Sequence, residues 1–227
     1  FNPTRRNKNI GTSNQGFGQN NSLKIPNPNN NLKSYYERLT KYEKKNISLN
    51  NHDFIFVIEE TREDSLHACN VEEIIKIIEK VPKEDYGDLK YIILRQPKRK
   101  EEILRPVWGR VIYSYEFEDN YSPAIILESF ELNKKIKWTK NLKIEEQKEI
   151  ELLRNEGHKI EFDGKNYIFE LEKENVKKTQ LYRTLLHEFG HYVHYLEKVV
   201  RVSKDEEEFE KHEDLYFKIS TTEKENF

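Results

Sequence analysis

The chain has 227 residues, a net charge of −2 and 35% charged residues, and its 13 Tyr and 12 Phe give it the aromatic content of a folded domain. That charge balance excludes a general pull toward nucleic acid or anionic lipid, and no run of 18 apolar residues is available to span a membrane. A single cysteine, Cys69, excludes an intrachain disulfide and leaves localisation open.

The sequence begins at Phe1 and contains no Met, so its start is expected to have been cut, with any targeting signal already gone. Residues 1–31 hold ten Asn, three Pro and three Gly with no apolar period, the composition of a flexible arm; folded character is expected over 32–227. "HDFIFVIEE" (52–60) reads as a buried strand. In "VEEIIKIIEKVP" (71–82), Ile74, Ile75, Ile77, Ile78 and Val81 recur at helical spacing before Pro82 stops the helix. "LKYIILRQ" (89–96), "PVWGRVIYSYEF" (106–117) and "PAIILESFEL" (123–132) read as strands, with a turn at 118–122. The basic run Arg95 to Lys100 abuts Glu101 and Glu102 and reads as a solvated loop, not a phosphate site.

Further on, "IEEQKEIELLRNEG" (144–157) reads as a helix stopped by Gly157, and 158–171 as a hairpin turning at Asp163–Gly164. A long helix comes next over about 175–200, then the acidic "SKDEEEFEKHEDLYF" and a terminal "STTEKENF". The order of strands and late helices implies a single α+β domain.

The long helix carries "LLHEFGHYVHY". On a helical wheel Leu185, Phe189, Val193, Leu196 and Val200 share one face, and His187, His191 and His194 share the other. His187 and His191 stand one turn apart, so their imidazoles can meet at one point, as a tetrahedral zinc ion requires. Glu188 lies at the edge of that face, where its carboxylate can reach a metal-bound water without ligating the metal and act as its general base. Gly190 leaves room for another backbone or a ligand to approach the helix.

"LLHEFGH" resembles the active-site helix of the zincin metallopeptidases, and the upstream order of a helix ending near a proline, then strands, is similar to their minimal fold. The resemblance covers about residues 50–227, though only the His-Glu-x-x-His stretch is sharp. It implies a small twisted mixed sheet, a backing helix, the histidine helix and a C-terminal ligand helix. It also implies a Zn2+ cofactor, hydrolysis of peptide bonds, and a peptide or protein substrate bound as an added strand on an edge strand. "PAIILESF" (123–130) or one strand of the 158–171 hairpin is expected to be that edge.

The third-histidine extension typical of metzincins is absent. "STTEKENF" resembles the Glu-x-Glu start of the ligand helix in many gluzincins, including the compact peptidases that cleave phage repressors. That match implies Glu223 as the third zinc ligand, with Glu225 beside it. Ser220 with Glu223, or Thr222 with Glu225, would also serve as a capping box needing no metal. Glu210 in a Glu-x-x-x-Asp pattern is a second option, and His212, Glu213 and His194 remain further ones. The family's ligand helix continues well past its glutamate, whereas this sequence stops at Phe227, so either its C-terminus is trimmed or Glu223 is not on such a helix.

Tyr192, Tyr195, Tyr216 or His212 could donate to a tetrahedral oxyanion, though packing is the commoner use of each. His52, His67, His158 and Cys69 read as structural or exposed. The competing function is a non-catalytic zinc-binding or protein-interaction domain on the same scaffold.

Overall fold

The computed structural model describes residues 38–104 and 107–200, all within one compact unit, Tyr36–Phe227. The 1–31 arm and the acidic C-terminal segment lie outside them. The described residues form an α+β fold built on a five-stranded mixed sheet. Its strands are β1 (Tyr42–Leu49), β2 (His52–Glu59), β4 (Tyr91–Arg95), β5 (Gly109–Phe117) and β6 (Asn120–Glu128), in the order β1-β2-β4-β6-β5. The middle strands run parallel, and β1 and β5 close the two edges antiparallel. Short β3 (Ser65–Leu66) and β7 (Phe130–Glu131) make a separate pair.

Turn chemistry accounts for both edge hairpins. β1 and β2 are joined at Asn50–Asn51 and β5 and β6 at Glu118–Asp119, each pair with φ between 49° and 64°. Two successive left-handed residues make the turn whose twist matches antiparallel strands, and Asn and Asp tolerate that region best among residues with side chains. The turn after β5 is thus tighter than the sequence suggests, and β6 begins at Asn120 rather than Pro123. β4 is buried along its whole length, as expected of a parallel strand covered on both faces.

α1 (Val71–Ile78) begins at a capping box formed by Asn70 and Glu73 and buries Val71, Ile74, Ile77 and Ile78. α2 is Arg99–Leu104 and α3 is Ile144–Asn155. A second sheet, β8-β10-β9, consists of β8 (Lys135–Thr139), β9 (Ile160–Phe162) and β10 (Asn166–Glu170). Its β9–β10 hairpin turns at Asp163–Gly164, where Asp163 Oδ1 accepts the Lys165 and Asn166 amides at 2.8 and 2.6 Å.

The chain then runs helically through α4 (Lys173–Thr179), a π turn (Gln180–Thr184), α5 (Leu185–Tyr195) and a second π turn (Leu196–Val200). α1, α4 and α5 cover one face of the large sheet with a continuous apolar core that includes Phe54, Phe56, Ile92, Ile125, Leu185 and Phe189. Val57, Tyr91, Ile93, Tyr115, Phe117, Ala124 and Ile126 form a smaller cluster on the other face. No described helix is long and apolar enough to cross a membrane.

Two sequence expectations are corrected. The basic run is not solvated throughout: Lys98, Arg99 and Lys100 are exposed, with Arg99 opening α2 and pairing with Asp64, but Arg95 ends β4 and is buried, bonded to Glu128 at 2.8 Å and Glu101 at 2.6 Å. The Arg95 charge is enclosed because Glu128 of β6 and Glu101 of α2 converge on it. "PAIILESF" is likewise not an edge strand. It lies inside the sheet between β4 and β5, and the 158–171 hairpin belongs to the other sheet. The sheet edge beside the histidine helix is β5.

Candidate functional site

α5 is held by its apolar stripe. Leu185, Phe189, Val193 and Leu196 are buried as their spacing predicts, while His187, His191 and His194 are exposed on the opposite side. The His187 and His191 rings lie 4.3 Å apart between centroids at 77°. Two imidazoles on successive turns, side by side and open to solvent, suit a borderline divalent cation such as zinc as two of its ligands. A complete site needs further donors, and no group of three His, Cys, Asp or Glu side chains that could hold a metal ion occurs among the described residues. The structure therefore brings His187 and His191 together and does not bring His194 into a metal-holding group with them. Glu223, Glu225, Glu210, His212, Glu213 and Tyr216 lie outside the described residues.

Glu188 points toward β5, and its Oε2 accepts the Val111 backbone N–H at 2.8 Å. That amide points away from β6, so the carboxylate sits on the free edge of the sheet. A charge-assisted bond from a rigid strand restricts where the carboxylate can swing. Seven residues on, nearly the same helical angle, Tyr195 stacks on Tyr113 of β5 with centroids 4.4 Å apart and an interplanar angle of 20°. One turn before Glu188, Thr184 faces Gly109: a Cβ built there would lie 2.9 Å from Thr184 Cγ2 and 2.6 Å from the Ile126 carbonyl. Gly109 is therefore the residue that permits β5 to lie against the helix. Helix and strand run side by side in the same direction, with the His187–His191 pair alongside.

Other helix residues serve anchoring. Tyr192 is fully buried and its hydroxyl accepts the Asp88 N–H at 2.7 Å, which places it away from the exposed histidine face. Gly87, at φ +47°, keeps that contact possible, because a Cβ there would meet the Tyr192 oxygen at 2.6 Å. Tyr195 is committed to its stack with Tyr113. Gly190 faces open space, with nothing within 4 Å of a built Cβ, so no described segment packs against it. A cleft of about 580 Å³ opens beside Tyr113 and Tyr195, where β2 starts and the chain enters β4, bordered by Asp53, Asp88, Lys90 and Tyr121.

Beneath the helix, Arg183 pairs with Glu149 at 2.8 Å and with the buried Glu156 at 2.7 Å. Glu156 accepts the Thr179 hydroxyl proton at 2.6 Å, so Thr179 accepts from His158 Nε2–H at 3.0 Å. Burial holds the His158 imidazole below its ordinary pKa, more strongly than the nearby Glu156 charge raises it. His67 is likewise depressed, chiefly by burial, with its Nε2 on the Glu59 carbonyl. His52 Nε2 bonds the Leu89 carbonyl at 2.7 Å. These three histidines are structural, and buried Cys69, its thiol pKa pushed well up by desolvation, is a packing residue.

Sequence reasoning missed Tyr113, Gly109 and the Val111 amide. The alternation in "GRVIYSYEF" marks a strand but not which strand is outermost, and a backbone donor leaves no trace in a sequence. No protein-family model matches this chain, nor does any curated protein or solved structure.

Proposed function

We propose that the protein is a zinc-dependent metallopeptidase of zincin type, gluzincin branch, acting on a peptide laid along the outer edge of β5. The observation that carries this reading is the combination on α5: two exposed imidazoles with ring centroids 4.3 Å apart, and between them in sequence a carboxylate bonded to an edge-strand amide. His187 and His191 would hold the ion, with Glu223 as the proposed third ligand. Zinc bound there would supply a Lewis acid that makes water a nucleophile near neutral pH and polarises a carbonyl.

The chain's own residues supply the rest. Glu188 takes the proton of the attacking water and hands it to the departing amine, so that no strongly basic amide anion has to leave. The exposed side of β5 offers main-chain donors and acceptors that align an extended peptide regardless of its sequence. Glu188 occupies the Val111 amide, so the substrate's main chain is placed directly beside the base.

The test is hydrolysis of a mixed peptide library by the zinc-supplemented full chain beside Glu188→Gln. Cleavage by the wild type, reduced about 10²- to 10⁴-fold in Glu188→Gln with zinc retained, is expected. Zinc binding with no cleavage by either protein would replace this reading with a non-catalytic zinc-binding domain on the same scaffold. Glu223→Ala and Glu210→Ala, assayed for zinc content, decide the third ligand.

A further inference from the structure

Gln180 lies in the π turn that precedes α5, is fully buried, and uses every hydrogen-bonding group of its side-chain amide. Its Nε2 donates to the Trp108 carbonyl at 3.0 Å and to the Glu128 carbonyl at 2.7 Å, and its Oε1 accepts from the Cys69 thiol at 3.6 Å. Trp108 leads into β5 and Glu128 ends β6. One side chain of the helix thus grips the two strands that form the outer edge of the sheet. Those strands are themselves tied at that end by the Glu128 N–H, which donates to the Trp108 carbonyl at 3.0 Å.

The wide turn gives this grip its direction. In an uninterrupted α-helix Gln180 and Glu188 would stand about 80° apart around the axis. A π turn takes in one residue more than an α turn, which rotates the downstream part of the helix back by about 100° and leaves the two side chains within about 20° of each other. Gln180, Thr184, Glu188 and Tyr195 then form one stripe along the helix. They meet Trp108, Gly109, Val111 and Tyr113 in the same order. Gln180 is the buried, doubly bonded end of this seam. Among the described residues Glu188 adds one bond to β5 and Tyr195 a ring stack.

We infer that Gln180 is a positioning residue: through the Trp108 and Glu128 carbonyls it fixes the register of β5 on the histidine helix, and thereby fixes Glu188 against the Val111 amide. This deepens the peptidase reading where it concerns turnover, and rests on that reading there. The strand-register part stands without it. His187 and His191 belong to the helix itself, so their approach to each other does not depend on the clamp.

The test uses the full chain with Gln180→Met, close in volume but without donors, and Gln180→Asn, which keeps the amide on a shorter stem. Hydrogen exchange is monitored across residues 109–113 and in α1 as an internal reference, together with zinc content, kcat and KM. Gln180→Met is expected to speed exchange over 109–113 at least about tenfold, leaving α1 and zinc content at wild-type values. It should lower kcat about 10- to 100-fold with a smaller change in KM, as misplacement of a reacting group does. Gln180→Asn should fall between Gln180→Met and the wild type. Wild-type exchange over 109–113 in Gln180→Met overturns the inference, as does acceleration shared equally by α1, which would make Gln180 a general stabiliser. Should Gln180→Met not fold, the same two readings are taken on Gln180→Asn. If the wild type cleaves nothing, the peptidase reading falls, and the exchange comparison still decides the clamp.

Discussion

Glycine and tyrosine mark, residue by residue, where the histidine helix is anchored and where it is open. Gly109 and Gly190 make opposite predictions from one kind of measurement. At Gly109 an added methyl meets a backbone carbonyl at 2.6 Å, so Gly109→Ala should push β5 outward and cost about 1–3 kcal/mol in a denaturant titration. At Gly190 nothing stands within 4 Å, so Gly190→Ala should stabilise the helix by about 0.5–1 kcal/mol. A Gly190→Ala protein that is more stable but no longer cleaves peptide would show that the open space is used by the substrate. Tyr192→Phe strands the Asp88 amide and should cost about 1–2 kcal/mol, with peptide cleavage unchanged well below the melting temperature. A selective loss of turnover at full stability would place Tyr192 in the chemistry.

At the scale of elements, the sequence is most legible where a period or a turn residue leaves only one choice. α1 can be read from its isoleucines, and the apolar stripe of α5 from Leu185, Phe189, Val193 and Leu196. The β9–β10 hairpin is legible from Asp163–Gly164, whose turn the Asp163 carboxylate closes. What escapes is neighbourhood. β1, with three of its eight residues half-buried and none fully buried, has only Ile47 and Leu49 as an apolar alternation to announce it. β6 is expected at an edge only through the family resemblance, because its composition says no more than that it is a strand. Its burial on both faces, with β4 on one side and β5 on the other, is a property of the assembled sheet. The π turn at 180–184 is invisible for a similar reason. It begins at Gln180, whose side chain bonds two strand carbonyls, and local helix propensity in "TQLYRTLL" does not record such long-range bonds.

For the whole molecule, His67 and His158 tie stability to pH. The folded-state pKa values of His67 and His158 are both depressed, chiefly by burial. As pH falls through about 6.5 the unfolded chain takes up protons that the folded chain refuses, so stability declines toward acid and is restored above that range. The slope contributed is at most about 1.4 kcal/mol per pH unit for each histidine. His158→Gln, which can keep the bond to Thr179, should flatten the acid side of a plot of unfolding free energy against pH between about 5 and 6.5. An unchanged slope would mean that His158 takes its proton without leaving the folded state.

The candidate site is legible in one part only. A helical repeat places His187, Glu188 and His191, because three side chains on one helix need no tertiary knowledge. Everything contributed by another segment, from the Val111 amide to Tyr113, emerges only with the fold. The measurement that bears most directly on the whole account is zinc content after gentle purification of the full chain, His187→Ala and His191→Ala. About one equivalent in the wild type, with loss in both variants while their folded cores persist, is the predicted result. A wild type holding less than about 0.1 equivalent, or a His187→Ala protein that keeps its metal, would contradict it.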